Sequence, residues 1–152
     1  KTKNKTKKRK QKMNLMTMIP VIAVDISGRH RTSDGLYKMV CAAVAVRITP
    51  GGLSEVSGMS TELFIEDHPP NVRDVAAMIE KTVLGLKKEA SEGTIIVERG
   101  DLFNMDEREC RVLFTRDIRF QSSIGERRAI GIAHHLSLSS RNLLIKCTDD
   151  FE

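Results

Sequence analysis

The run Ile19 to Ile26, "IPVIAVDI", constrains this chain more than any other stretch. Residues on both sides of an extended chain are apolar there, which is how a central strand covered above and below reads. A fold that satisfies it needs a sheet with a layer on each face. One residue resists. A carboxylate at Asp25, closing four aliphatic residues, is costly unless water, a hydrogen-bond donor or a metal meets it.

Further along, "LYKMVCAAVAVRI" reads as a second strand, "TPGGL" as a turn, and "SEVSGMSTELFI" as a return strand weakened by Gly58. Together with the first run these predict an antiparallel meander. "EDHPPN" breaks the sheet pattern, and Asn71 is placed as a helix N-cap. Val72, Val75, Ile79, Val83 and Leu86 then recur at three- and four-residue steps, predicting an amphipathic helix through "NVRDVAAMIEKTVLGLKKEA". "TIIVE" reads as a short buried strand ending on Glu98, and "MDERECRVLF" as a short helix. "SSIGERRAIGIAHHLSLSS" opens with Ser123 and Glu126 at capping-box spacing, and "NLLIKC" reads as a last strand. The expected architecture is α/β, a mixed five-stranded sheet in the order β-β-β-α-β-α-β with helices on its faces.

The chain of 152 residues suits one core. Its net charge of +5 is concentrated in "KTKNKTKKRKQK", which holds eight Lys/Arg and no acid. Without those eight, 17 basic residues face 20 acidic ones, a net −3. Residues 1–18 therefore read as a basic, disordered tail and 19–152 as a single domain. A domain binding nucleic acid by charge alone would be more basic than this one. Cys41, Cys110 and Cys147 are odd in number and unpaired in spacing, so buried packing in a reducing cytoplasm is expected rather than a disulfide framework or a zinc site. No apolar run reaches the ~20 residues of a membrane span. Aromatic residues are 4%, too few for a multi-base stacking platform.

Three carboxylates occupy suggestive positions. Asp25 ends the first strand, Glu98 ends the fourth, and Asp74 lies in the first turn of the long helix; Asp101, in "ERGD", is a further candidate. If strands one and four are neighbours, Asp25 and Glu98 share one rim, where Mg²⁺ or Mn²⁺ takes a few carboxylate oxygens and keeps several waters. A pair of such ions activates water and stabilises the leaving oxygen of a phosphodiester. Each residue has a plainer alternative. Asp25 can accept backbone N–H bonds in "DISG", Asp74 suits a helix N-terminus without further purpose, and Glu98 can pair with Arg99 or Arg119. Asp149 and Asp150 read as a solvated end. His134 and His135 are adjacent in a helical pattern, so they face different directions and read as surface or satisfied histidines.

With "VIAVDISGRH" on the first strand, this element order resembles the ribonuclease H-like fold of ribonucleases H, Holliday-junction resolvases and pre-ribosomal-RNA YqgF-type proteins. The resemblance spans about Ile19 to Cys147. It implies that Asp25, Asp74 and Glu98 are metal ligands, with Asp101 as a further catalytic candidate, in a Mg- or Mn-dependent nuclease acting on RNA or structured nucleic acid. The chain also looks like a small uncharacterised archaeal family near this fold. It departs from the pattern at Ile26, where type-two ribonucleases H carry an acid. Reading "NLLIKC" as a strand also leaves no room for the final acid-bearing helix, for which Asp149 or Asp150 would have to substitute. The alternative expectation is a catalytically degenerate domain that binds nucleic acid or a protein.

Overall fold

A computed structural model describes residues 18–149, so all but the last residue of the basic segment lies outside it. Three strands, β1 (Ile19–Ser27), β2 (Tyr37–Thr49) and β3 (Gly52–Glu66), form the expected antiparallel meander. Helix α1 (Val72–Leu84) leads to β4 (Thr94–Val97). After the short helix α2 (Glu107–Val112) and β5 (Ile118–Phe120), helix α3 (Ile124–Asp149) closes the described chain. The sheet order is β3-β2-β1-β4-β5, with β1–β4 and β4–β5 parallel. A mixed five-stranded α/β sheet is therefore present, with β1 at its centre.

The two-sided cover demanded by β1 is met by alternation. Ile22, Val24 and Ile26 enter one core with Met39, Cys41, Ile95 and Val97, over which α1 lays Val75, Ile79 and Val83. Val21 and Ala23 enter a second core with Val44, Val46 and Ile96, covered by Ala129, Ile130 and Ala133 of α3. Helix α1 begins where the sequence places it. The Asn71 side chain accepts from the Asp74 N–H at 2.9 Å and the Asp74 carboxylate accepts from the Asn71 N–H at 3.0 Å, a reciprocal box that satisfies two orphan donors. The helix stops at Gly85, short of the predicted Ala90, and Lys88–Ala90 form a separate 3₁₀ turn.

The predicted last strand is corrected. "NLLIKC" continues α3, and the fifth strand is the three-residue "IRF" of Ile118–Phe120. No glycine or proline separates Ser140 from Asn142, so nothing stops the helix there. The three-residue apolar run Leu143 to Ile145 is compatible with either structure, and helical continuity decides it. Among the cysteines, Cys41 and Cys110 are buried as expected, and Cys147 is exposed. No helix among the described residues is long and apolar enough to cross a membrane.

Candidate functional site

Strand parity decides where Asp25 goes. Sharing the register of Val21 and Ala23, it faces α3 rather than α1, opposite the small Ala42 of β2. Helix α3 runs alongside β1, and its inward stripe changes character where the strand does. After Ala129 and Ala133, which pack on Val21 and Ala23, come His134, Ser137 and Arg141. Asp25 is 5% exposed and Ser137 is completely buried. The Ser137 hydroxyl donates to Asp25 Oδ2 at 2.7 Å, and His134 Nδ1 lies 3.2 Å from the same oxygen. Ser27 Oγ is 2.6 Å from Ser137 Oγ. Because Ser137 has one proton and the carboxylate is its strongest acceptor, Ser27 donates into Ser137 and Ser137 into Asp25. At the exit of β1, Gly28 has φ +96°, and a Cβ there would meet the Lys38 carbonyl and the Arg141 guanidinium. Arg141 Nε donates to that carbonyl at 2.7 Å, tying the α3 stripe to the end of the strand pair.

A second acid stands at the same rim. The parallel register pairs Ala23 with Ile96, so two residues further on Asp25 stands level with Glu98 at the mouth of β1 and β4. Just beyond, the 3₁₀ turn Arg99–Leu102 holds Asp101. Burial, and next the negative charge of Asp25, push the Asp101 carboxyl from 3.8 up to about 7; Arg29 opposes this, Glu98 adds to it and His134 opposes it. Arg29 is an incomplete partner. Its Nη2 donates to the Asp101 carbonyl at 2.6 Å and stands 3.7 Å from the carboxylate, while Arg29 Nε and Asp101 Oδ2 are buried without a hydrogen-bond partner. A buried carboxylate oxygen left over beside a second carboxylate suits a cation better than it suits a neutral core.

Of the four predicted site acids, two therefore act on a third: the charges of Asp25 and Glu98 both bear on Asp101. Asp74 does not join them through any described contact. Its carboxylate closes the α1 capping box, lies 3.6 Å from His68 Nε2, and belongs to the helix on the opposite face of the sheet from Asp25's partners. The plainer alternative for Asp74 thus accounts for its position. Asp25 is held by α3 and not by its own "DISG" turn. The expectation that no final helix is present is also corrected, since α3 closes the described chain and presents His134 and Ser137, rather than a carboxylate, to Asp25. Asp149 lies twelve residues beyond Ser137, about 18 Å along the helix axis, and Asp150 lies outside the described residues. His135 is exposed, as a surface histidine is, and His134, half-exposed, is satisfied by Asp25 itself. The signal available in the sequence was the i, i+3 pair His134 and Ser137 following an inward stripe of alanines.

The chain matches, over residues 22–145, the family described as "Uncharacterized protein conserved in archaea (DUF2209)". It belongs to that family. The matched span contains Asp25, Glu98, Asp101, His134 and Ser137. A relative, "Uncharacterized protein MJ0095" of Methanocaldococcus jannaschii, is 31% identical over 125 residues, covering 82% of this chain and 96% of its own length. No solved structure matches the chain.

Three potential metal-ligand atoms come within 4.8 Å of one another, among the described residues, only at Glu66, Asp67 and His68, where two of the three are exposed. The acids at the β1–β4 mouth thus form an open set rather than a closed cage. Openness of this kind suits Mg²⁺ or Mn²⁺, which bind through one or two carboxylates and complete their shells with water or substrate phosphate. The pairless Asp101 oxygen and the adjacent Asp25 carboxylate fit such an ion.

Proposed function

We propose that this chain is a divalent-cation-dependent nuclease of the ribonuclease H-like class, hydrolysing phosphodiester bonds in RNA or structured nucleic acid. One observation carries the reading: the β3-β2-β1-β4-β5 order sets β1 and β4 side by side and parallel, so acids 73 residues apart in sequence, Asp25 and Glu98, reach one mouth, where Asp101 joins them. Asp25 and Asp101 would hold Mg²⁺ or Mn²⁺, with Glu98 at the exposed side. When bound, the metal supplies an activated water and charge neutralisation at the scissile phosphate. Ser137, backed by Ser27, fixes the Asp25 carboxylate from below. His134, half-exposed and bonded to Asp25, stands where it can hold or release a proton toward a substrate in the mouth. Arg29 neutralises Asp101 only in part.

A second reading, a degenerate binding module, draws support from Arg29. An arginine paired to one of the acids already neutralises part of the charge that a metal would neutralise. Thermal melting with Mg²⁺ or Mn²⁺ separates the two. A metal that binds the native state raises the melting temperature by mass action, and Asp25→Asn and Asp101→Asn should each abolish that rise. Cleavage of a labelled RNA or a branched duplex by wild type, lost in Asp25→Asn, would complete the case. An equal response of wild type and both variants to metal refutes the nuclease reading.

A further inference from the structure

We propose that Phe103 is a stacking platform for a single unpaired nucleobase at the rim of this site. The proposal rests on the nuclease reading above and deepens it by naming the substrate feature the site grips, a locally single-stranded nucleotide. Phe103 and Asn104 are consecutive non-glycine residues in left-handed backbone, with φ of 59° and 55°. A bulky residue there costs on the order of 1 kcal/mol or more and persists only where its surroundings impose it. The imposing contacts are backbone bonds: Phe103 N–H to the Gly100 carbonyl at 3.2 Å, and Asn104 N–H to the Arg99 carbonyl at 3.0 Å. Their effect is to turn Leu102 wholly into the core while Phe103 stays 49% exposed. Glycine or asparagine would make the same turn at lower cost without exposing an aromatic ring.

The ring is also aimed. The guanidinium carbon of Arg29 lies 5.5 Å from its centroid, and Arg29 in turn bonds to the Asp101 carbonyl. Aromatic ring, guanidinium and buried acid thus form one continuous row, with Phe103 two positions after Asp101 in the chain. A nucleotide offers the complementary pair of groups, a flat π-face for the ring and a phosphate for the cation. A chain with few aromatics cannot build a long stacking track, and one ring beside the acids is what a single splayed base requires.

The protein contains no tryptophan, so Phe103→Trp creates a lone indole, excited apart from Tyr37, at the site. With Asp25→Asn present to prevent hydrolysis, the full chain is titrated with a short oligouridylate and with an abasic oligonucleotide of equal length and charge. Binding through the basic segment is common to both probes and cancels. The oligouridylate should quench the indole emission of the Asp25→Asn/Phe103→Trp protein saturably, and the abasic strand should not. Phe103→Ala in the same background should lower oligouridylate affinity about 5- to 100-fold, toward the abasic value. Equal affinity for the two probes with unchanged emission overturns the stacking role and leaves the metal site standing. No binding of either probe, together with no cleavage by wild type in Mg²⁺ or Mn²⁺, overturns both.

Discussion

Removing the Ser137 hydroxyl gives the sharpest measure of how the Asp25 carboxylate is held. Ser137→Ala deletes the 2.7 Å bond to Asp25 Oδ2 and the acceptor that Ser27 uses at 2.6 Å, in a place where Ser137 is fully buried and Asp25 nearly so. A hydrogen bond to a charged group is worth about 1.5–3 kcal/mol, and a buried hydroxyl left without a partner costs about 1 kcal/mol more. His134 and a little solvent still reach Asp25, which brings the expected loss to about 2–3 kcal/mol. For a chain of this length that corresponds to a fall of about 4–12 °C in melting temperature. Thermal and urea melts at pH 7 measure it. Ser27→Ala, which removes only the donor into Ser137, should cost about 1 kcal/mol. The double variant should show a coupling of about 0.5–1.5 kcal/mol, as neighbours in one network do. A Ser137→Ala protein melting within ~1 °C of wild type, or strict additivity of the two changes, would refute the relay from Ser27 through Ser137 to Asp25.

Three further outcomes follow from the same geometry. Because the Asp101 carboxyl titrates at about 7 in the fold and at 3.8 when unfolded, its ionisation weakens the folded state. In chelator, stability should fall as pH rises from about 4 to about 7, by at most about 4 kcal/mol, and Asp101→Asn should flatten that slope in urea midpoints taken across pH. Glu126 is 2% exposed, and despite burial its carboxyl lies below the ordinary 4.5, held there by the Ser122 N–H and by Arg119, so its contribution is present above that value and lost as pH falls through the lower folded one. Arg119→Met should destabilise by about 2–4 kcal/mol at pH 7 and by less at pH 3, read by denaturant melts. Gly28→Ala places a side chain at φ +96° against the Lys38 carbonyl, and should cost about 2 kcal/mol or more, with lost protection of the Arg141–Lys38 junction in hydrogen exchange.

Local patterning made much of this fold readable. The two-sided apolar run called for a central strand, Asn71 and Asp74 marked the helix start to the residue, and the acid after "TIIV" pointed to the β4 mouth. What was not legible depended on other elements. Three residues of β5 are too few for a period to show, and their strand character comes from pairing with Ile95 to Val97. "NLLI" satisfies strand and helix equally in isolation. By sequence both Asp74 and Asp101 are candidates to join Asp25. Only the sheet separates them, since it gives Asp74 to a capping box and sets Asp101 against Asp25. His134 and Ser137 acquire meaning only once α3 is known to lie along β1, a relation fixed by packing of Ala129 and Ala133 on Val21 and Ala23.

The partners of Asp25 come from 109 and 112 residues downstream, on the last helix described. During synthesis, then, the meander can pair early, but its α3-facing side stays bare until α3 emerges: Val21, Ala23, Val44 and Val46, with a carboxylate beside them. That unneutralised Asp25 keeps water on the waiting surface and discourages premature collapse against it. The carboxylate that α3 covers in the finished protein would thus act, on the nascent one, as a guard against sticking.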